Sequence, residues 1–139
     1  MKKYLNAALI YAATALAGGV FYREFTKFNG FEGVTALGKV HPHLFILGML
    51  VFIVIALFAA HNELEKIKLF RVFLIVYNCG VVISTITLLA RGITEVLGTT
   101  MTKSANAAIS GVAGIGHVLV GAGIILLILA LKKTAKKQE

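Results

Sequence analysis

The chain has 139 residues, of which 58% are hydrophobic, and its mean hydropathy is +0.88. A composition this apolar excludes an ordinary soluble domain and predicts that the chain's main partner is a lipid bilayer. The formal net charge is +8, but the lysines and arginines lie at the ends of apolar segments. That placement is typical of membrane topology signals, so the charge does not indicate a nucleic-acid partner.

Four apolar segments are long enough to cross about 30 Å of hydrocarbon as helices. They cover residues 5–22, 42–60, 72–90 and about 107–131. Only helices and closed barrels satisfy their backbone hydrogen bonds in lipid, and the apolar positions follow helical spacing. We therefore predict an all-α fold, a four-helix transmembrane bundle that forms a single membrane domain over residues 1–139.

The distribution of charge predicts which way the helices run. With four spans, both termini and the second loop share one side of the membrane. That side carries nine lysines and arginines, including Lys132, Lys133, Lys136 and Lys137 of the tail, and the other side carries five. The positive-inside rule then places both termini in the cytoplasm.

The first segment is rich in alanine and ends at Gly18 and Gly19, so neighbouring helices can approach it closely. The outer loop after it mixes aromatic and charged residues between Phe21 and Glu32. Such a mixture next to a span is typical of an interfacial belt that anchors the helix. A lid over the histidines that follow is the alternative.

The second segment opens with His41-Pro42-His43. Pro42 fits the first turn of a helix, where its missing N–H leaves no hydrogen bond unmade. If the helix instead starts earlier, near Val34, the proline makes a kink. Because His41 and His43 are two residues apart, they point to nearly opposite faces of a helix, and at most one faces the bundle centre. Ionisable side chains at the rim of a bilayer are costly and usually functional.

The third segment carries Gly80, Ser84, Thr87 and Arg91 at helical spacing, which gives one face a polar stripe. We expect the stripe to face other helices, because lipid offers it no hydrogen bonds. Arg91 lies at its outer end, on the same side of the membrane as the paired histidines of the second segment.

In the fourth segment, Ser110, Gly114, His117 and Gly121 share one helix face. A histidine with glycines one turn away on both sides is unusual. The small residues indicate either close packing of another helix or a slot for a flat cofactor.

His43 and His117 are expected at similar depths. Counting about 20 residues back from each cytoplasmic end places His43 two residues inside the outer boundary and His117 five residues inside it. At a rise of 1.5 Å per residue the difference is roughly 4–5 Å, which helix tilt absorbs. The second and fourth helices are diagonal in an up-down bundle, so their histidines can clamp one ligand between them.

This arrangement predicts a b-type haem bound by His117 and by one of the two outer histidines. Arg91 lies at the level where it can bind a haem propionate. The predicted cofactor-binding residues are His41, His43, His117, Arg91, Gly114 and Gly121, and the three histidines are the predicted metal ligands.

Two other interpretations remain open. The histidines can simply hydrogen-bond across helices, which would make the chain a structural or partner-binding protein without a cofactor. A copper or zinc site is the second, although it needs more ligands than two or three histidines at this spacing readily supply. Ion transport is disfavoured because all six acidic residues lie outside the four segments, and hydrolysis has no nucleophile–base–acid set.

The runs Phe21-Tyr22-Arg23-Glu24-Phe25-Thr26, His41-x-His43-x-x-x-Leu47-Gly48 and Gly116-His117 resemble a family of small four-helix membrane proteins of unknown function from Gram-positive bacteria. The second run also resembles a helix of membrane haem proteins related to the haem–copper oxidase catalytic subunit. In that group a histidine on the second helix of a four-helix arc binds haem, which implies that His41 or His43 is a haem ligand. The copper-site histidine pair and the tyrosine cross-link of the oxidases have no match, so oxygen reduction is not implied.

The expected function is haem binding by an integral protein of a bacterial inner membrane, in electron transfer, haem handling or gas sensing. A homo-oligomer is expected, because four helices leave the edge of a haem open to lipid. Small residues suited to close packing between copies occur on the first helix (Ala8, Ala12, Ala15, Gly19) and on the fourth (Ser110, Gly114). A trimer would imitate the three four-helix units around one axis in the oxidase group. The alternative is that both faces are used within the monomer.

Overall fold

The computed structural model describes residues 1–135 and is all-α. Its four long helices, named α1 to α4, are Lys2–Phe28, Ala36–His61, Lys68–Val96 and Lys103–Ala135. Each is long and apolar enough to cross a membrane, and no strand occurs in the described part of the chain. The predicted four-helix transmembrane fold is confirmed, and the chain is a multi-pass membrane protein. Lys136 and Lys137, which we counted as topology signals, lie outside the described residues.

All four helices extend past the apolar segments that predicted them. α1 continues through the charged and aromatic stretch to Phe28, and α2 begins at Ala36, well before Pro42. The predicted bounds mark the edges of the hydrocarbon, whereas a helix continues until its terminal backbone groups find other partners. At the start of α4 that partner is Thr102, whose hydroxyl accepts a hydrogen bond from the N–H of Ala105.

α2 is not one regular helix. It consists, in order, of a 3₁₀ turn, one α-helical turn, a π-helical stretch and a longer α-helix: Ala36–Lys39, Val40–His43, Leu44–Leu50 and Val51–His61. π-Helical stretches are rare and are frequently found at functional sites. The Tyr77 hydroxyl of α3 donates a 2.8 Å hydrogen bond to the carbonyl of Leu47, so a tertiary contact stabilises the π stretch.

Glycines allow the helices to approach closely. Gly48, within the π stretch, lies against the ring of Tyr11 from α1, and an added Cβ would overlap that ring. At Gly80 of α3 an added Cβ would lie 2.7 Å from the nitrogen of Val120 and 2.9 Å from the carbonyl oxygen of Gly116, both in α4. These contacts join α1 to α2 and α3 to α4.

α3 is the most buried of the four helices, and α1 and α4 are the least buried. In the half of the protein that contains Met1, α3 contributes Phe70, Phe73 and Tyr77, which are fully buried. The ring of Phe73 contacts those of Phe70 and Tyr77. Tyr4 of α1 packs edge-on against Phe70 with ring centroids 5.7 Å apart. His41, His43 and His117 lie in the other half of the protein.

Candidate functional site

The structure places His43 of α2 beside His117 of α4. The ring centroids are 6.3 Å apart and the ring planes are nearly perpendicular, at 83°. The two residues are 74 positions apart in the sequence, so only the packing of both helices on α3 brings them together. Both lie outward of the aromatic core.

Each ring has one nitrogen fixed by its own helix. The Nδ1 of His43 lies 2.9 Å from the carbonyl oxygen of Lys39, and the Nδ1 of His117 lies 2.8 Å from the carbonyl oxygen of Ala113. A carbonyl oxygen only accepts hydrogen bonds, so each Nδ1 carries the proton and donates it. In the neutral ring the lone pair is then on Nε2, which is the arrangement found in histidines that bind a metal.

His41 faces a different neighbour. It packs against Gly19 of α1, where an added Cβ would lie 3.7 Å from the Cβ and Cγ of the histidine. Its Nδ1 is buried without a hydrogen-bond partner among the described residues. The structure therefore brings His43 and His117 together and places His41 on the other side of α2.

The glycines next to His117 do not pack against another helix. Gly114 and Gly121 are exposed, and a Cβ added at either would meet no atom within 4 Å. Close packing of α4 instead uses Gly116 and Gly123, which are buried against α3. The sequence left two roles open for Gly114 and Gly121, close helix packing or a slot for a flat cofactor. Among the described residues, no helix packs against them, and the space beside them is free.

A groove of about 460 Å³ with charged and hydroxyl side chains in its lining lies between α2, α3 and α4, at the end of the protein away from Met1. Lys39 and Ala113, whose carbonyls fix the two histidines, both line it. Arg91 also lines it, and its guanidinium donates to the hydroxyl of Ser110 at 2.7 Å and to the side-chain oxygen of Asn106 at 3.2 Å. Both of these partners are neutral, so the groove presents a cationic wall next to the histidine pair.

The one carboxylate in this groove belongs to Glu95 and is engaged elsewhere. It accepts a 2.7 Å hydrogen bond from the backbone N–H of Ala36, at the start of α2. A negative charge near a helix N-terminus is stabilising. Glu95 therefore caps α2, and none of the described residues gives Arg91 an ion pair.

Sequence reasoning passed over a second polar cluster. The hydroxyl of Tyr11 in α1 donates a 2.5 Å hydrogen bond to the side-chain oxygen of Asn78 in α3. Tyrosine and asparagine inside apolar spans were the available signal, because polar groups in hydrocarbon need a partner. Their pairing depends on how α1 lies against α3, which the sequence did not reveal.

Comparison with known proteins gives a family and no function. The profile of a family described as "Protein of unknown function (DUF2871)" matches residues 1–134. No curated protein and no solved structure matches the chain. The match spans all four helices, which confirms the expectation of a family of unknown function. The chain belongs to the DUF2871 family.

Proposed function

We propose that the chain binds a b-type haem between α2 and α4, with His43 and His117 as axial ligands. The observation that carries this proposal is the histidine pair itself. Two rings from different helices are in contact, and each has Nδ1 bonded to its own backbone, which leaves Nε2 available. The proposed role is electron transfer, haem handling or gas sensing.

The separation of the rings agrees with a metal held between them. With metal–nitrogen bonds of about 2.0–2.1 Å and a ring centre about 1 Å behind each nitrogen, two imidazoles in line on one metal have centroids about 6 Å apart. The observed separation is 6.3 Å.

The number of ligands favours haem over a bare metal ion. Among the described residues, no group of three or more histidine, cysteine, aspartate or glutamate side chains is placed to hold a metal ion. Zinc sites use three or four protein ligands, and copper sites commonly use three. A porphyrin would supply four nitrogen ligands of its own, so two histidines would complete the six ligands of the iron. Copper or zinc is the alternative if another copy of the chain contributes a ligand.

The surroundings of the pair suit a flat, anionic cofactor. The free space at Gly114 and Gly121 lies one turn to either side of His117, where a porphyrin ring needs room. Arg91 and Lys39 line the outer groove next to the pair and are suited to bind propionates. The expected resemblance of the His41–Gly48 run to the haem-binding helix of oxidase-related proteins would imply a ligand on the second helix, and no solved structure matches the chain.

When bound, the haem would supply one-electron chemistry and, with an open axial position, gas binding at its iron. The chain's part is to hold both Nε2 atoms in position through the Nδ1–H···O bonds to Lys39 and Ala113. Those bonds also raise the basicity of the ligating nitrogens. With both histidines as ligands, the bound haem would be suited to electron transfer more than to direct gas binding.

The decisive experiment is an absorption spectrum. Protein purified from haem-replete cells is expected to show a Soret band and the sharp visible bands of a six-coordinate low-spin haem. His43→Ala and His117→Ala should each remove the low-spin bands and lower the haem content, whereas His61→Ala, at the exposed far end of α2, should not. Retention of the low-spin spectrum in His43→Ala but not in His41→Ala would assign the ligand to His41.

The competing function is that of a structural or partner-binding membrane protein without a cofactor. In that case the two rings only contact each other and their own helix backbones. Colourless protein that gains no Soret band on reconstitution with haem would favour this function and contradict the haem proposal.

The proposed location is a bacterial inner membrane with both termini in the cytoplasm. This orientation follows from the excess of lysine and arginine on the side of the termini. A cysteine introduced as Gly30→Cys, in the turn after α1 where φ is +60°, should react with an impermeant thiol reagent in intact cells. Because Gly30 is exposed and nothing lies within 4 Å of an added Cβ, access to the reagent depends on topology.

We also infer a homo-oligomer, with a trimer as the expected form. A haem between α2 and α4 would have an edge toward lipid beside Gly114, and another copy of the chain would cover that edge when haem is bound. Three of the small residues of α1 do not offer such a surface, because Ala8 and Ala15 are buried within the protomer and Gly19 packs against His41. A strictly monomeric species with haem retained, in native mass spectrometry from mild detergent, would contradict the oligomer.

A further inference from the structure

A groove of about 440 Å³ separates α1 from α3 in the middle of the protein. Its polar lining comes from Tyr11, Thr14, Asn78 and Thr85, and the rest is aliphatic. Val82, one of the aliphatic residues, is 48% exposed, so the groove is open at the outer surface of the helices. In a membrane that surface faces lipid, so a ligand would enter from the bilayer.

The polar side chains of the groove have internal partners and unused capacity. The Tyr11 hydroxyl donates to Asn78, and the Asn78 amide, Thr14 hydroxyl and Thr85 hydroxyl each donate to a carbonyl four residues earlier in their own helices. Within the described residues, this leaves one amide hydrogen of Asn78 and the lone pairs of three hydroxyl oxygens without partners. A ligand here can therefore accept one hydrogen bond and donate others.

The depth of this cluster limits the chemistry of the ligand. Asn78 is seven residues, or about 10 Å, from Arg71 and thirteen residues, or about 20 Å, from Arg91 along α3. The cluster thus lies inside the hydrocarbon, away from the level of charged phospholipid headgroups. No lysine, arginine, aspartate, glutamate or histidine lines the groove. The ligand must be neutral, must carry hydrogen-bonding groups and must be soluble in the bilayer interior.

We propose that this groove binds an isoprenoid quinone, preferentially in its quinol form. A quinol ring has two hydroxyl groups, which can donate to two of the three hydroxyl oxygens of Tyr11, Thr14 and Thr85 and accept from the amide of Asn78. Its prenyl tail is suited to the aliphatic part of the groove and to the lipid beyond it. The acyl chains of a phospholipid, or an apolar helix of a second copy, would suit only the aliphatic part of the groove and would leave its hydrogen-bonding groups unused.

The groove lies close to the histidine pair without sharing residues with it. Leu44 forms part of its wall, and the preceding residue is His43. Tyr11, which donates to Asn78, also packs on Gly48 of the π stretch that follows His43. The proposed binding of quinol does not depend on haem. A role of the quinol as electron donor to the haem would rest on the proposed function.

Photolabelling of the purified full-length protein tests the proposal. The probe is an azido-quinone with a decyl tail, displaced by unlabelled decyl quinol to obtain a dissociation constant. Thr85→Val should weaken binding about 3- to 10-fold, since it removes one hydrogen-bonding group at nearly constant volume. Val82→Phe should weaken it at least about 10-fold, because the ring fills the groove.

Two matched variants serve as controls. Thr87 has the same hydrogen bond to the carbonyl four residues earlier and the same 8% exposure as Thr85, but it does not line the groove. Thr87→Val and Val72→Phe, elsewhere on α3, should change the dissociation constant less than about twofold. If Val82→Phe fails to fold, Thr85→Val and its control Thr87→Val still test the proposal.

His43→Ala separates this site from the haem site. Quinol binding within about twofold of wild type in this variant supports a separate site, whether or not the wild type contains haem. Several results would overturn the proposal: labelling no stronger than nonspecific labelling in empty micelles, a label that maps outside α1, α3 and the part of α2 around Leu44, or equal effects of Thr85→Val and Thr87→Val. If phospholipid displaces the probe as effectively as quinol does, the groove is a site of ordinary lipid contact and the proposal is wrong.

Discussion

α4 carries two pairs of glycines with the same spacing, and the two pairs have opposite surroundings. Gly116 and Gly123 are buried, and a Cβ added at either would collide with atoms of α3. Gly114 and Gly121 are exposed, with no atom within 4 Å of an added Cβ. Both pairs repeat after seven residues, so spacing does not distinguish a packing face from an open one.

The difference comes from the partner helix. An offset of two residues rotates a side chain by about 200° around a helix, so only one pair can face α3. α3 presents Gly80 and Ser84 to α4, and these small residues allow the backbones to approach. One glycine pair therefore permits helix contact, whereas the other leaves space beside His117.

The largest expected effect comes from filling the packed face. Gly80→Leu should lower the free energy of unfolding by about 3 kcal/mol, because its side chain would meet backbone atoms of α4 that cannot move without separating the helices. The measurement is an SDS titration of the detergent-solubilised protein. Gly111→Leu, on the open side of α4, is the matched control and should change the free energy by less than about 0.5 kcal/mol. Equal losses in both variants would contradict a distinction between the two faces.

Filling the open face should instead affect the cofactor. Gly114→Leu and Gly121→Leu are expected to leave the unfolding of the haem-free protein nearly unchanged, since nothing lies within 4 Å of an added Cβ. Each should lower haem affinity about 10-fold or more, by placing a side chain where the proposed porphyrin lies (about 1.4 kcal/mol for tenfold). The measurement is a haem titration followed at the Soret band.

Gly111→Leu is again the control for this titration, because Gly111 is open but lies farther from His117 along α4. If Gly114→Leu and Gly121→Leu both bind haem as tightly as the wild type, the open face does not contact haem. A loss of stability as large as that of Gly80→Leu would mean that another copy of the chain packs there.

The number, type and order of the helices were predictable, because four long apolar segments leave few alternatives in a bilayer. The depth count predicted that His117 lies level with the outer histidines, and the contact between His43 and His117 agrees with that count. Their assignment as haem ligands stays a prediction. The choice of His43 over His41 was not predictable, since it depends on the rotation of the outer end of α2.

That rotation depends on residues far away in the sequence. The π stretch packs Gly48 against Tyr11 of α1 and receives a hydrogen bond at Leu47 from Tyr77 of α3. No local pattern in residues 44–50 distinguishes it from an α-helix. The roles of Gly114 and Gly116 were hidden for the same reason: each depends on the neighbouring helix and not on α4.

Arg91 lines the groove next to the histidine pair and is the proposed partner of a haem propionate. Arg91→Gln should weaken haem binding about 3- to 10-fold, because the charge-assisted bond to a propionate is lost while a hydrogen-bonding side chain remains. Arg91 has only neutral partners, Ser110 and Asn106, so little stability is expected to change. Arg23→Gln, a highly exposed arginine at the end of α1, is the control. Equal haem affinity in Arg91→Gln and Arg23→Gln would mean that Arg91 does not bind the haem.

The smallest expected effect lies at the opposite end of the protein, where an exposed ion pair joins α1 to the loop between α2 and α3. The ammonium group of Lys3 lies 2.6 Å from the carboxylate of Glu65, and this hydrogen-bonded contact holds the pKa of Glu65 below its ordinary value. A carboxyl group with a lowered pKa stabilises the folded state above its unfolded pKa of about 4.3. The contribution is lost as the pH falls through the lowered pKa.

Glu65→Gln should therefore lower SDS resistance slightly at pH 7, and the difference from wild type should shrink as the pH falls below the ordinary carboxyl range. Both side chains are more than half exposed, at 56% and 57%, so solvent screens the pair and the effect should be far smaller than that of Gly80→Leu. Glu63→Gln, which breaks only the local pair with Lys66, controls for loss of one loop carboxylate. A loss that matches Gly80→Leu, or one that grows as the pH falls, would mean that charge and not glycine packing holds the helices together.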